Sequence, residues 1–300
     1  VGMVAGGIFG DDPITAVSAA VPYIMGANIG TSITNTIVSM GHIGDKIEFK
    51  RAFSASIVHD FFNILSVAIL FPLEILFGII SKSGIWLSTI LVGSAEISFN
   101  SPIKLLTKPS VNFIKELTDN QQIMNENFLL LLLAISFLFF SLRNLTKLIK
   151  SLVMFKLEAF FDTHIFKTTI RAMLFGILIT FLVQSSSITT SLVVPLAGAG
   201  ILKLRQIFPY TLGANIGTTM TSILASLATG TIQSLSVAFG HLLFNIFGIV
   251  LIWPIPQLRN IPIKLASKFA ELATRNKVYP FLYIFIVFFV IPLTLITIVR

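Results

Sequence analysis

The chain contains the segment Gly-Ala-Asn-Ile-Gly-Thr twice, at residues 26–31 and 213–218. Each copy follows a Pro-Tyr pair, and a His-X-X-Phe-Asn-Ile pattern comes later in each half, at 59–64 and 241–246. Chance agreement in an apolar chain produces matches of Leu, Ile and Val, not of Asn, Gly, Thr and His in register. The sequence therefore predicts two related halves, each of them one structural repeat.

Composition decides the solvent in which these repeats fold. Hydrophobic residues make up 55% of the 300 residues and charged residues only 11%, whereas a soluble domain has about 25% charged residues. Stretches close to the roughly 20 apolar residues of a bilayer-spanning helix occur at 57–80, 128–142 with its flanks, 235–253 and 278–299. We expect an all-α, multi-pass protein of the plasma (inner) membrane, surrounded by the lipid bilayer.

The net charge of +8 is spread over short connections, which argues against nucleic-acid binding. Basic residues beside apolar spans mark cytoplasmic loops, and they occur here at 46–51, 143–156, 203–205 and 259–277. When all four connections lie on one side, the two Gly-Ala-Asn-Ile-Gly segments run in opposite directions. Such an inverted repeat is the symmetry of many secondary transporters. The outer connection 81–126 also carries four lysines, so the charge rule is obeyed imperfectly.

The repeat also predicts the domain organisation. We expect a first repeat at 1–80, an extracytoplasmic connection at 81–126, a second repeat at 127–256, and a basic cytoplasmic connection with a final span at 257–300. Residues 194–201 align with 1–8, so the counterpart of 184–187 would precede Val1. The first repeat is therefore expected to lack most of its N-terminal span and hairpin, and both chain ends look trimmed.

Polar residues inside apolar segments are the candidate binding groups. The cluster Gln184, Ser185, Ser186 and Ser187 lies in the apolar segment 172–200, which also contains Pro195 and three glycines. A re-entrant hairpin with broken helices fits this pattern, because a half-helix N-terminus attracts anions and free carbonyls coordinate cations. The alternative is that the hydroxyl groups only bond to carbonyls of their own helix. A contiguous cluster of four polar residues favours a binding function.

The duplicated segment offers further polar groups, at Asn28, Thr31, Asn215 and Thr218. A nucleotide-binding loop is excluded, because no lysine follows and no strand precedes the segment. Its glycines indicate either close helix packing or a local break. We expect His59, Asp60 and His241 to lie near the starts of spans, where water at the membrane interface solvates them. Their role is expected to be mainly structural. Asp45 is by default a solvated loop charge.

Taken together, several motifs resemble the type II sodium-dependent phosphate cotransporter family over nearly the whole chain. They are Gln184-Ser-Ser-Ser187, the paired Gly-Ala-Asn-Ile-Gly-Thr segments, Gly44-Asp-Lys-Ile-Glu-Phe-Lys-Arg-Ala-Phe53, His59-Asp-Phe-Phe-Asn63 and Trp253-Pro-Ile-Pro256. The resemblance implies symport of inorganic phosphate with Na⁺ as the coupling ion and no other cofactor. It also implies a fold in which two Gln-Ser-Ser-Ser hairpins meet near the membrane centre. The connection between the halves lacks the large insertion of animal members, which suggests a prokaryotic type.

The resemblance also implies which residues bind. The implied phosphate and sodium site comprises Gln184, Ser185, Ser186 and Ser187, with Asn28, Thr31, Asn215 and Thr218 nearby. Asp45 matches an acidic residue that helps to bind an additional Na⁺ in electrogenic members. The exact Na⁺ ligands and the oligomeric state stay open.

Two other functions remain from the residues themselves, a passive anion channel and a symporter of another oxyanion. Sulfate and arsenate share the geometry of phosphate, and only the family resemblance selects phosphate. An enzyme is disfavoured because no His or Lys base accompanies the serine cluster in its segment, so no catalytic residue is assigned.

Overall fold

The structure is a computed structural model that describes residues 13–92, 165–229 and 231–290, with a few residues between 108 and 136. Every regular element in these residues is a helix, which confirms the all-α prediction. Three helical stretches are long and apolar enough to cross a membrane: Ile14–Met40, Lys46–Phe77 and Ile232–Ile252. The predicted span at 128–142 lies almost entirely outside the described residues, and the basic connection 143–156 lies wholly outside them.

The helices are α1 (Pro13–Gly30), α2 (Ile33–Met40), α3 (Lys46–Phe77), α4 (Ile79–Val92), α5 (Thr169–Val183), α6 (Ser186–Gly198), α7 (Leu204–Thr229), α8 (Ile232–Ile252), α9 (Pro256–Arg275) and α10 (Val278–Phe285). A π-helical turn, Ile286–Val290, follows α10. Four helix starts carry a capping side chain that accepts a backbone N–H of the first turn, at Asp45, Thr168, Ser185 and Thr231. Each such cap stabilises its helix by about 1 kcal/mol.

Helix α4 begins just before the range predicted as an outer connection, 81–126, and extends into it. Gly78 ends α3 in the left-handed conformation, with φ of 63°, and the chain turns into a further helix over residues 79–92. The Glu74 carboxylate accepts the Ile80 N–H at 2.6 Å, so it caps the new helix. The Ser88 hydroxyl bonds with the Ser236 hydroxyl at 2.6 Å. The first residues of the predicted connection therefore pack against α8.

Helix α9 occupies most of the segment predicted as a basic cytoplasmic connection. Pro256 stands at its first position, where the missing N–H of proline costs nothing. Ala266, Ala270 and Ala273 are fully buried on the face that packs against α3. The basic residues lie elsewhere on α9, so the segment is an amphipathic helix and not a loop.

The two repeats interlock. Helix α6 of the second repeat packs against α2 and α3 of the first, and α8 packs against α1 and α4. Phe62 meets Phe208 edge-on with ring centroids 5.8 Å apart, which joins α3 to α7. Each hydrophobic core mixes residues of both halves, as in the pairs Phe53 with Ile252, Val21 with Phe244, and Ala55 with Val193. Neither repeat forms a core without the other in the described residues.

The duplicated glycines behave differently in the two copies. In α7, a Cβ at Gly213 would overlap the Met173 carbonyl oxygen, and a Cβ at Gly217 would lie 2.6 Å from Thr180 Cβ. These glycines therefore let α7 and α5 approach closely, as small residues do in membrane proteins. Around Gly26 and Gly30, nothing lies within 4 Å of a built Cβ among the described residues. In the first copy, α1 ends at Gly30. In the second copy, α7 continues through the segment without interruption.

We expect Gly213→Ala to lower the free energy of unfolding by about 1–3 kcal/mol, because the added methyl group overpacks a helix contact made by backbone atoms. Gly44→Ala is the matched control, since a Cβ there meets nothing within 4 Å. Thermal unfolding of both purified variants in detergent measures the difference. Equal midpoints for the two variants would contradict the close contact between α5 and α7.

Candidate functional site

The predicted break in segment 172–200 lies at Gln184 and Ser185. Gln184 ends α5 in the left-handed conformation, with φ of 54° and ψ of 27°, and its N–H bonds to the Thr180 carbonyl. Ser185 is extended and its hydroxyl accepts the Ile188 N–H at 3.3 Å, which starts α6. A non-glycine residue in this region costs about 1–2 kcal/mol, and such strain concentrates at functional sites. The side chain of Gln184 is exposed.

The first turns of α6 contact the break between α1 and α2 in the other repeat. The Ser187 hydroxyl donates to the Thr31 carbonyl at 3.0 Å. One turn later the Thr190 hydroxyl lies 3.0 Å from Asn35 Oδ1 and 2.7 Å from the Ser186 carbonyl of its own helix, so it shares its hydrogen between them. Thr31 belongs to the two residues that separate α1 from α2. The polar cluster of the second repeat and the interrupted helix of the first repeat therefore form one contact region, which we call the break interface (residues 31–35 and 184–190).

The two predicted asparagines lie in a second polar network that also joins the repeats. Asn28 Nδ2 donates to His241 Nε2 at 2.9 Å. His59 Nε2 donates to Asn215 Oδ1 at 2.6 Å. Each asparagine of a Gly-Ala-Asn-Ile-Gly segment thus pairs with the histidine of the opposite repeat. Such reciprocal pairing is what a two-fold relation between two similar units produces.

The reciprocity of this network is incomplete. Asn63 accepts from Asn215 Nδ2 at 2.9 Å and donates to the Asn28 carbonyl at 2.7 Å, so it links both repeats. Its counterpart Asn245 donates to the His241 carbonyl of its own helix at 3.2 Å. The Asn245 Oδ1 atom is buried without a hydrogen-bond partner in the described part of the chain. One of the two equivalent networks is closed and the other is open.

The predicted threonines contribute less than expected through their hydroxyl groups. The Thr31 hydroxyl donates to the Ala27 carbonyl at 2.7 Å, and the Thr218 hydroxyl donates to the Ala214 carbonyl at 3.1 Å. Both bonds run four residues back within the same helix, as serine and threonine often do in membrane helices. Thr31 enters the break interface through its backbone carbonyl, and within the described part of the chain the Thr218 hydroxyl bonds only to Ala214.

Asp45 lies away from both networks, at the start of α3. Its carboxylate accepts the N–H groups of Ile47 at 2.8 Å and Glu48 at 2.9 Å. The bond from the Glu48 N–H contributes most to lowering the pKa of Asp45, followed by the bond from the Ile47 N–H. The positive charge of Arg51 lowers it further. The side chain is exposed. The structure therefore makes Asp45 a helix cap, close to the default interpretation of a solvated charge.

The expectation that His59 and Asp60 are solvated at the interface is wrong. His59 is 1% exposed and Asp60 is 0% exposed. Helix α3 begins at Lys46, so residue 60 lies roughly 20 Å along it at 1.5 Å per residue. The apolar pattern placed the start of the span too late. A carboxylate within an apolar span is itself a signal of function, and that signal was available in the sequence.

The carboxylate of Asp60 is only half satisfied. Tyr283 donates its hydroxyl to Asp60 Oδ2 at 2.7 Å. The Ser32 side chain lies beside the same carboxylate, but its hydroxyl donates its hydrogen to the Ile29 carbonyl at 2.8 Å. No donor among the described residues reaches Oδ1 in hydrogen-bond geometry. A buried carboxyl oxygen without a donor is neutralised either by a proton or by a bound cation.

Comparison with known proteins matches this chain to one protein family. A family profile described as Na⁺/Pi-cotransporter matches residues 137–255. The bovine (Bos taurus) sodium-dependent phosphate transport protein 2B is 33% identical over 366 residues, covering 92% of this chain and 53% of the relative. The human (Homo sapiens) 2B protein is 32% identical over 371 residues, covering 94% and 54%. The chain belongs to the type II sodium-dependent phosphate cotransporter family.

Membership of this cotransporter family confirms the resemblance stated from the motifs. The 2A protein of Rattus norvegicus is 32% identical over 346 residues, covering 92% of this chain and 54% of the relative. The chain therefore spans about half the length of the curated family members that it matches. No solved structure gave a significant match.

We expect Asn215→Leu to destabilise the protein by about 1–3 kcal/mol for each buried group that it leaves without a partner. Those groups are His59 Nε2 and Asn63 Oδ1. Thr218→Val is the control on the same helix, because the Thr218 hydroxyl bonds only within that helix. Unfolding midpoints of the purified variants decide the matter, and a loss as large in Thr218→Val as in Asn215→Leu would contradict the network.

Proposed function

We propose that the protein containing this chain carries out Na⁺-coupled symport of inorganic phosphate across the plasma (inner) membrane by alternating access. Family membership supports this, since the relatives are named sodium-dependent phosphate transport proteins and none of those names describes an enzyme. The observation that carries the proposal is the bond between the Ser187 hydroxyl and the Thr31 carbonyl at 3.0 Å. It joins two helix interruptions from opposite repeats, which is where such transporters bind substrate.

The two interruptions have complementary chemistry. The first turn of α6 presents backbone N–H groups and the positive end of the helix dipole, beside the hydroxyls of Ser186 and Ser187. That combination suits an oxyanion such as phosphate. The end of α1 presents carbonyl oxygens at the negative end of its dipole, and the exposed Gln184 amide offers one oxygen more. Those atoms are hard oxygen ligands of the kind that Na⁺ takes.

Asp60 is the proposed charged ligand for a coupling Na⁺, in place of Asp45. Its free Oδ1 is buried and next to Ser32, which directly follows the break at Thr31. Asp45 is exposed, and its carboxylate is occupied by the N–H groups of Ile47 and Glu48. A carboxylate that must be neutralised inside the membrane attracts a cation more strongly than one that already caps a helix in water.

Alternating access is supported by the unequal networks around Asn63 and Asn245. Inverted repeats exchange their conformations when a transporter changes from one orientation to the other. In the opposite orientation we expect Asn245 to bridge the repeats and Asn63 to bond within its own helix. The region 169–198 would then be a re-entrant hairpin with Gln184 and Ser185 at its tip, facing the break between α1 and α2.

Substitutions at Gln184 distinguish the contribution of its side-chain amide from that of its left-handed backbone conformation. We expect Gln184→Ala to abolish Na⁺-dependent phosphate uptake by the full-length protein in proteoliposomes, and Ser186→Ala to do the same. Gln184→Gly is the control, because glycine adopts a positive φ freely and yet lacks the amide. Loss of uptake in both Gln184 variants supports an amide ligand, and loss in Ser186→Ala supports a hydroxyl ligand. Full uptake by Gln184→Gly would show that only the backbone turn matters.

The passive channel is the alternative, since the same duplicated architecture supports it. Uptake that reaches equilibrium without concentrating phosphate under an inward Na⁺ gradient would indicate the channel and exclude symport. Replacing external phosphate by sulfate or arsenate in the same proteoliposomes tests the oxyanion.

The matched pair Asp60→Gly and Asp45→Gly tests the cation ligand. We expect Asp60→Gly to reduce the charge moved per phosphate by about one elementary charge, because it removes the charged ligand of one Na⁺. Asp45→Gly should leave the charge moved per phosphate unchanged. Transport current divided by tracer phosphate flux gives the ratio. A change in the Asp45 variant alone would restore the assignment that the motif implies.

A further inference from the structure

A basic cavity lies at the end of the molecule where α3 begins. Its volume is about 450 Å³. The residues that line it come from α3, from the start of α7 and from α9: Lys46, Ile47, Lys50, Arg51, Ser54, Leu204, Ser267 and Thr274. Three of these side chains are cations and three carry hydroxyl groups. The cavity therefore offers charge and hydrogen-bond donors for an anion, at a place distinct from the break interface.

Most of the positive charge in this cavity is not neutralised. Neither Lys46 nor Arg51 forms an ion pair with another described residue, whereas Lys50 pairs with Glu271 at 3.2 Å. Glu271 is shared, since Arg275 lies 3.8 Å from its other oxygen. Asp45 attracts Arg51 from a distance but directs its carboxylate to backbone N–H groups of its own helix. Two full cationic charges remain available.

The Arg51 side chain lies close to the backbone that follows helix α6. Its Nη1 atom lies 2.5 Å from where a Cβ of residue 200 would be, and that residue is a glycine with φ of 77°. Only glycine adopts this conformation readily and leaves the space free. The missing side chain at residue 200 therefore leaves room for the guanidinium group beside this backbone.

Apolar side chains border the same cavity. Ile47 is 65% exposed and lines the cavity beside Lys46. Leu204, at the start of α7, is a second apolar residue of the lining. Basic groups next to exposed apolar groups at the first turn of a spanning helix are typical of contact with lipid headgroups and the upper part of their acyl chains.

We propose that this cavity binds the phosphate-bearing headgroup of an anionic phospholipid, with Lys46 and Arg51 contacting the phosphate and Ile47 contacting an acyl chain. The exposed apolar border favours a lipid over free phosphate, whose chemistry the cations would otherwise accept equally well. The proposal does not depend on the transported substrate. It requires only that α3 enters the bilayer near Lys46.

The test measures the unfolding midpoint of the purified full-length protein in detergent during three titrations. The added compounds are short-chain phosphatidylglycerol, short-chain phosphatidylcholine and inorganic phosphate. The main variant is Lys46→Gln with Arg51→Gln. Its control is Lys264→Gln with Lys268→Gln, which removes two exposed charges of α9 outside the cavity. A second control, Lys46→Arg with Arg51→Lys, keeps both charges.

We expect phosphatidylglycerol to stabilise the wild type more than phosphatidylcholine does. The main variant should bind it about 25-fold more weakly, since each basic group near an anionic lipid surface contributes roughly a factor of five. Both controls should bind it as the wild type does, and the response to inorganic phosphate should be unchanged in every variant. If the main variant does not fold, Lys46→Gln alone should weaken binding about fivefold.

Three results would overturn the proposal. The first is an equal response of the wild type to phosphatidylglycerol and phosphatidylcholine. The second is an equal loss in the control that removes charges at residues 264 and 268, which would mean diffuse attraction. The third is a main variant that loses its response to inorganic phosphate, which would mean that the cavity takes free phosphate.

Discussion

The structure depends on one requirement, that a helix interrupted inside an apolar environment must find partners for its freed polar groups. Two interruptions occur in the described residues of the repeats, after Gly30 and at Gln184–Ser185. They satisfy each other, because the Ser187 hydroxyl donates to the Thr31 carbonyl at 3.0 Å. A region that could not be solvated by lipid is thereby placed at the contact between the repeats. Its strain and polarity suit a binding site more than a structural core.

The second polar network explains why the two repeats stay in register. Asn28 pairs with His241 and Asn215 pairs with His59, so each repeat supplies one asparagine and one histidine to the contact. Replacing one partner would leave a buried polar group unsatisfied, which costs more than the bond itself contributes. The unequal bonds of Asn63 and Asn245 show that the symmetry of the sequence is not complete in the structure.

Much of the site could be predicted from residues, and the errors have clear causes. The break in segment 172–200 was predicted from polar residues, Pro195 and glycines; it lies at the polar residues Gln184 and Ser185, whereas Pro195 lies within α6. The sequence could not show which of Asp45 and Asp60 is buried, although the position of Asp60 inside an apolar stretch was a signal of function. Burial depends on where α3 begins and on what packs around it, and the helix begins at Lys46, before its apolar run. The cap at Asp45 and the bond from Tyr283 to Asp60 involve neighbours that spacing alone does not reveal.

The sequence by itself determined an all-α membrane protein of two related halves, because apolar length and a duplicated polar motif are properties of the chain that packing does not alter. The family followed from the same motifs. Only the tertiary structure decided which copy of the glycine segment forms a close helix contact, which histidine pairs with which asparagine, and which carboxylate is buried. Those outcomes depend on contacts between α1–α4 and α5–α10, and two copies of one motif acquire different neighbours when the halves fold together.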